Sequence, residues 1–179
     1  MPVKICISGK IAAGKTTLAQ TLSRHFRIQV VSFGKIMREN LRKGGTEPTR
    51  EALHEKSRQI VACVGNYGAM DWFVANSPEI NWKGNLIVEG CRHPETFQRM
   101  KELFGSCLLI HCSCSKAVQI QRIMDRDGLS LEQTLDVISS PTEEDLDHEF
   151  ITIADVMHNE QTQQVETLNV LMRLLKDAA

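Results

Sequence analysis

The feature that most constrains the fold of this chain is a loop framed by two glycines. Residues 9–16 read GKIAAGKT and match the pattern G-x-x-x-x-G-K-[ST] at every position. The apolar run at residues 3–8 predicts a strand directly before the loop, and Leu18 and Leu22 predict one face of a helix over residues 15–26. A strand, a tight turn and a helix in this order predict the start of an α/β domain.

The chemistry of this loop follows from its glycines and from the helix behind it. Gly9 and Gly14 allow backbone bends that other residues resist. The amides of the loop, including those of Ala12 and Ala13, can then point inward and form an anion-binding nest. The N-terminus of the following helix adds positive potential at the same place. The loop is therefore expected to bind phosphate groups.

Three side chains after the glycines indicate that the phosphates belong to ATP with Mg²⁺. Lys15 can bridge the β- and γ-phosphates, and Thr16 can offer its hydroxyl to the metal. Thr17 is expected to contact the α-phosphate. The base-reading string N-K-x-D of many GTPases does not occur in the sequence.

The rest of the chain alternates short apolar runs with amphipathic stretches, the pattern of a parallel sheet covered by helices. Five strands with helical crossovers predict a three-layer, doubly wound, five-stranded parallel sheet. Ligands of such sheets bind at the carboxyl ends of the strands. The predicted strands cover residues 3–8, 28–32, 86–89, 107–112 and 155–157.

Length and composition limit the number of domains and the kinds of partner that are expected. The 179 residues predict a single domain, 1–179, and the net charge of −1 gives no support to a nucleic-acid partner. No apolar run of about 18 residues and no signal-peptide pattern occurs, so we expect a cytoplasmic protein without a membrane partner. The oligomeric state is expected to be a monomer or a weak dimer. The six cysteines lack metal-site spacing and are expected to be structural thiols.

A second group of residues predicts an acceptor site. Arg38 follows the second predicted strand and Arg92 follows the third, so both can converge on Lys15. Forked guanidinium groups suit the phosphate of an acceptor held in line with ATP. Glu89, which ends the third strand, is expected to hold Mg²⁺ together with Thr16 or to orient the acceptor oxygen. Either arginine alone would indicate only an exposed side chain.

Four motifs in order resemble the P-loop nucleoside monophosphate kinase family, in its adenylate kinase-like and archaeal dephospho-CoA-kinase-like branches. After the loop, SFGKIMR resembles the family's M-L-R segment, and VEGCR resembles its acid-Gly-x-x-Arg or acid-Gly-x-Arg string. QRIMDR is similar to the helix that flanks the family's lid, and IADVMHNEQT to its adenine-side segment. These strings stand at residues 32–38, 88–92, 121–126 and 153–162.

The resemblance implies a P-loop NTP hydrolase/kinase fold with a helical acceptor-binding insert at about 34–76 and a short lid at about 122–148. It implies that Arg122 and Arg126 of the lid act with Lys15 and Arg92 on the charge of the transferred phosphoryl group. Asn159 is expected to lie beside the adenine of ATP. The implied activity is phosphoryl transfer from ATP to a nucleoside or deoxynucleoside monophosphate.

Two departures from the family pattern leave alternatives open. Lys35 stands where many members carry Asp, and residues 127–150 contain no arginine. The acidic run at 143–149 is interpreted as a solvated helix face, and His111 as a core histidine. Dephospho-CoA or another small metabolite is an alternative acceptor. A nucleotide-binding ATPase or regulator is the alternative outside the kinases.

Overall fold

The computed structural model describes residues 2–139, 146–159 and 164–177. A five-stranded sheet forms its centre, with every neighbouring pair of strands parallel and the strand order β2-β3-β1-β4-β5. This sheet confirms the predicted fold class. Its strands are β1 Lys4–Gly9, β2 Gln29–Ser32, β3 Leu86–Cys91, β4 Leu108–Cys112 and β5 Val156–His158.

Eight helices surround the sheet in the described part of the chain, and most begin or end where the apolar periodicity predicts. None of them is long and apolar enough to cross a membrane. They are α1 Lys15–Phe26, α2 Phe33–Lys43, α3 Arg50–Ala75, α4 Pro94–Phe104, α5 Lys116–Asp127, α6 Leu131–Ile138, α7 Leu146–Ile151 and α8 Gln164–Asp177.

Strand β1 is the centre of the sheet and pairs with β3 on one side and β4 on the other. All six of its residues are buried, which explains why its apolar run shows no exposed face. Separate core clusters cover the two faces. Met70, Phe73 and Phe150 belong to one cluster, whereas Leu18 and Leu171 belong to the other.

The strand register brings three strand ends together. Ser8 of β1 lies beside Cys91 of β3 and His111 of β4, and Gly9 lies beside Cys112. The loop after β1 therefore emerges between two neighbouring strand ends, the location expected for a ligand site in such sheets.

The strand bounds differ from the expected ones by one or two residues, and the break in the long helix is located more closely. Strand β5 begins at Val156 rather than at residue 155, because the carboxylate of Asp155 accepts from the Leu109 amide at 2.7 Å. The break expected near Gly65 and Gly68 lies at Gly65, where φ is 71° and ψ is 170°. This kink divides α3, the longer helix of the expected acceptor insert.

Candidate active site

The backbone of the phosphate loop explains its two glycines. At Gly9, where φ is 135°, a Cβ would lie 2.1 Å from the carbonyl oxygen of Cys112, so only glycine fits. Gly14 caps α1 with φ 92°, and Ala12 adopts φ 60° although it is not a glycine. Burial raises the pKa of the Cys112 thiol to about 12, so this thiol stays protonated beside the loop.

The side chain of Lys15 folds back onto the start of the phosphate loop. Its Nζ donates to the carbonyl oxygen of Gly9 at 2.6 Å and to that of Lys10 at 2.5 Å. The amide of Ala13 closes the turn by donating to the same Lys10 carbonyl at 3.2 Å. The ammonium group therefore lies at the mouth of the amide nest, where a bound triphosphate would need a cation.

Thr16 and Glu89 form the expected oxygen pair. The Thr16 hydroxyl donates to Oε2 of Glu89 at 2.9 Å, and Glu89 is 9% exposed. The expectation that Glu89 ends the third strand is corrected, because β3 continues for two more residues to Cys91. A hydroxyl and a carboxylate are the hard oxygen ligands that Mg²⁺ takes, so the donor set fits this ion. Thr17 is exposed in the first turn of α1.

Helix α5 crosses the loop and brings Arg122 to it. The Arg122 Nη1 donates to the carbonyl oxygen of Ala12 at 3.0 Å, and Gln119 donates to that of Ile11 at 3.0 Å. Arg126 lies one turn further along and pairs with the adjacent Asp127 at 2.8 Å. Asp127 also pairs with Arg50 of α3 at 2.7 Å. Of the two expected lid arginines, the described contacts place Arg122 at the loop.

An apolar cleft lies on the acceptor side of the strand ends. In its wall the rings of Phe33 and Phe73 stack directly on each other, with centroids 3.8 Å apart and planes 2° from parallel. Helices α2 and α3 supply most of its walls, and Arg92 supplies the charge. Its lining includes Phe33, Met37, Ile60, Ala69, Phe73 and Arg92.

The two arginines expected on the acceptor side differ in position. Arg92 follows β3 directly and lines the cleft, together with His93. Burial lowers the pKa of His93, Arg92 adds to this effect, and Glu95 and Glu149 oppose it. His93 is therefore neutral at pH 7, which leaves Arg92 as the cation. Arg38 lies on the exposed side of α2, its guanidinium group beside Gly34.

A family model described as an AAA domain matches residues 5–138, more than half of the chain. The chain belongs to this family. The matched residues include the phosphate loop, Glu89, Arg92 and Arg122.

Relatives of this AAA domain are kinases by name. Cytidylate kinase from Pyrobaculum calidifontis is 27% identical over 133 residues, which are 74% of this chain and 65% of that enzyme. The chain thus spans just under two thirds of the cytidylate kinases that it matches. Dephospho-CoA kinase from Vibrio vulnificus is 26% identical over 190 residues, with 92% of this chain and 90% of that enzyme covered.

A solved structure confirms the fold of this AAA domain. Shikimate kinase from Acinetobacter baumannii superposes with a TM-score of 0.61 at 16% identity, over 99% of this chain and 95% of that enzyme. The expectation of a P-loop kinase domain is thereby confirmed at the level of family and fold.

One part of this AAA domain corrects an expectation from the sequence. Asp147, expected on a solvated acidic face, pairs with Lys10 of the phosphate loop at 3.0 Å and with His111 at 2.9 Å. Burial raises the pKa of Asp147, but the hydrogen bonds from His111 and Lys10 outweigh it, so the pKa is lowered overall. No residue spacing could indicate this cluster, because its members come from three distant segments.

Two segments expected from the sequence, the adenine-side segment and the lid, lie partly outside the described residues. Asn159 is exposed directly after β5, where the His158 carbonyl accepts from the Ser113 amide at 2.8 Å. Residues 160–162 of the expected adenine-side segment and residues 140–145 of the expected lid and its acidic run lie outside the described ranges. The roles of Asn159, Thr17 and Arg126 stay predictions.

Proposed function

We propose that the protein transfers the γ-phosphoryl group of ATP, bound with Mg²⁺, to the phosphate of a nucleoside or deoxynucleoside monophosphate. The observation that carries this proposal is the position of Arg92. It lies three residues after Glu89, which contacts Thr16 of the phosphate loop, and it lines an apolar cleft. An acceptor held there would present its phosphate beside the expected position of the γ-phosphate.

The acceptor class follows from the chemistry of the cleft walls. Aromatic and aliphatic side chains in the lining favour an apolar group such as the face of a nucleobase. Arg92 offers paired donors that match the oxygens of a phosphate. A base at the walls and a phosphate at the guanidinium group are the two ends of a nucleoside monophosphate.

Transfer in this site would depend on position and charge. Lys15, held at the mouth of the loop by two carbonyl oxygens, would stabilise the charge of the moving phosphoryl group. Arg122 would do so from α5, and Arg126 would join it after release from Asp127. Mg²⁺, held by Thr16 and Glu89, would neutralise the phosphate oxygens. Closure of the lid over the acceptor would exclude water.

Dephospho-CoA is the second candidate acceptor, since the Vibrio vulnificus enzyme of that name aligns with 92% of this chain. An alcohol acceptor needs a base to take its proton, whereas an acceptor phosphate does not. In the described structure Glu89 accepts from Thr16, and Asp147 is held by Lys10 and His111. These engaged carboxylates favour the phosphate acceptor.

An acceptor screen tests the proposal. ADP formation would be measured with ATP, Mg²⁺ and each ribo- and deoxyribonucleoside monophosphate, and separately with dephospho-CoA, shikimate and gluconate. We expect the largest stimulation with a monophosphate. Stimulation by dephospho-CoA alone would support the second candidate, and ATP binding without stimulation by any acceptor would support a regulator.

A further inference from the structure

Helix α7 contacts the phosphate loop through one carboxylate. The Oδ2 of Asp147 lies 3.0 Å from Nζ of Lys10, and its Oδ1 lies 2.9 Å from Nε2 of His111. Lys10 is the first variable position of the motif, and its side chain is only 27% exposed. The two oxygens of one side chain thus join α7 to the loop and to strand β4.

We propose that Asp147 is a positioning residue that holds the phosphate loop in its ATP-binding form by acting through Lys10. This inference rests on the proposed function, because it concerns the affinity of the same loop for ATP. Asp147 does not touch Lys15 in the described contacts. Its influence would pass through the residue whose backbone supports Lys15.

Lys10 links Asp147 to the amide nest of the phosphate loop. Its carbonyl oxygen accepts from Lys15 Nζ at 2.5 Å and from the Ala13 amide at 3.2 Å, so the same residue closes the turn and orients the ammonium group. Ala12, within this turn, has φ 60°, a left-handed conformation that is strained in a non-glycine residue. A loop with such strain keeps its shape only while its surroundings restrain it.

Asp147 is in turn held in place by His111 of β4 and by its neighbours on α7. His111 is fully buried, and its ring lies 8° from parallel to that of Phe150, at 6.0 Å. Because a carboxylate only accepts, Nε2 of His111 carries a proton and donates it to Asp147. The buried Nδ1 has no hydrogen-bond partner in the described residues. Leu146 and Phe150 are buried on either side of Asp147 and hold α7 against the sheet.

A structural role is the alternative, in which the Asp147–Lys10 pair only secures α7. The two roles predict different effects on stability and on ATP affinity when the contact is removed. Loss of a contact that only secures α7 lowers the stability of the protein and leaves the ATP affinity of folded molecules unchanged. Loss of a positioning contact weakens ATP binding, because part of the binding free energy is then spent on restoring the loop before its amides can bind the phosphates.

The test uses Asp147→Asn, which keeps the size of the side chain and removes its charge. We expect the dissociation constant and the KM for ATP to rise about 10-fold, the size of one charge-assisted hydrogen bond. The KM for the acceptor should stay within about two-fold. Glu79→Gln, which removes a charge from an exposed loop, is the matched control and should change neither constant.

Lys10→Met removes the other partner of the ion pair, and it is the variant to use if Asp147→Asn does not fold. It should raise the KM for ATP by a similar factor, and the double variant should add little, because both changes break one path. Unchanged or tighter ATP binding in folded variants, or independent effects in the double variant, would overturn the inference. Failure of the unmodified protein to bind ATP would instead overturn the proposed function.

Discussion

The phosphate loop and the acceptor cleft lie at neighbouring strand ends but are built in different ways. The loop is determined by its backbone: Gly9 has no room for a Cβ, and carbonyl oxygens hold Lys15. The cleft is built from side chains on two helices, one of them kinked at Gly65. Backbone geometry leaves few alternatives in sequence, whereas apolar side chains of similar volume can replace one another.

This contrast explains why the nucleotide end of the site is easier to recognise than the acceptor end. A nest of amides binds any triphosphate, and the same motif serves kinases with different acceptors. The named relatives illustrate the point, since enzymes named cytidylate kinase and dephospho-CoA kinase resemble this chain in sequence and a shikimate kinase resembles it in fold. Acceptor choice is therefore expected to depend on the walls of the cleft and on Arg92.

The largest expected effect is at Lys15. Lys15→Ala should reduce phosphoryl transfer by about 1,000-fold, because it removes a cation placed where charge develops. Circular dichroism should show an intact fold, since α1 tolerates alanine. Lys83→Ala, at an exposed position between α3 and β3, is the control. A modest loss at Lys15, equal to that of the control, would contradict the role of the loop.

The next largest effect distinguishes a glycine that has no room for a Cβ, Gly9, from one that only has a positive φ, Gly45. Gly9→Ala should lower the free energy of unfolding by about 4 kcal/mol, because its Cβ would meet the Cys112 carbonyl oxygen. Gly45→Ala should cost about 1 kcal/mol, because φ there is 74° but no atom lies within 4 Å of the added carbon. Urea unfolding of both variants measures the difference. Equal losses would show that the loop is not constrained at this contact.

Arg92 provides the matching test on the acceptor side. Arg92→Lys keeps the charge and loses the fork, so the KM for the monophosphate should rise about 30-fold while the KM for ATP stays within about two-fold. Arg173→Ala, at an exposed position on α8, is the control. A rise in the KM for ATP as large as that for the acceptor would place Arg92 on the nucleotide side instead.

The smallest effect is the pH dependence of the Asp147 contact. The pKa of Asp147 in the folded protein is lowered, so its carboxylate contributes stability above the ordinary aspartate value of about 3.9. That contribution is lost as the pH falls through the folded value. The difference in unfolding free energy between the unmodified protein and Asp147→Asn should therefore shrink between pH 7 and pH 3. A constant difference would show that charge is not involved.

The sequence predicts those parts of the molecule that depend on local pattern. Buried strands appear as apolar runs, and helices such as α1 and α4 begin and end where periodicity and glycine or proline signals place them. The loop is predictable in detail, since Gly9, Gly14 and Lys15 each have one physical reason to be there. Glu89 is predictable as well, because it lies near the carboxyl end of a strand next to β1.

Contacts between distant segments are not predictable in this way. Helical periodicity places Arg122 and Arg126 on one face, but it does not reveal that Asp127 pairs with both Arg126 and Arg50. The acidic run suggests solvent, yet Asp147 lies against Lys10 and His111. Both outcomes depend on where helices pack, which is determined by the whole core.

The central claim is tested most directly by following the γ-phosphoryl group itself. ATP labelled at the γ-phosphate would be incubated with Mg²⁺ and a nucleoside monophosphate, and the products separated. We predict that the label appears in the nucleoside diphosphate with the unmodified protein and is lost with Lys15→Ala. Label found only in inorganic phosphate, or retained in ATP with every acceptor, would contradict the account.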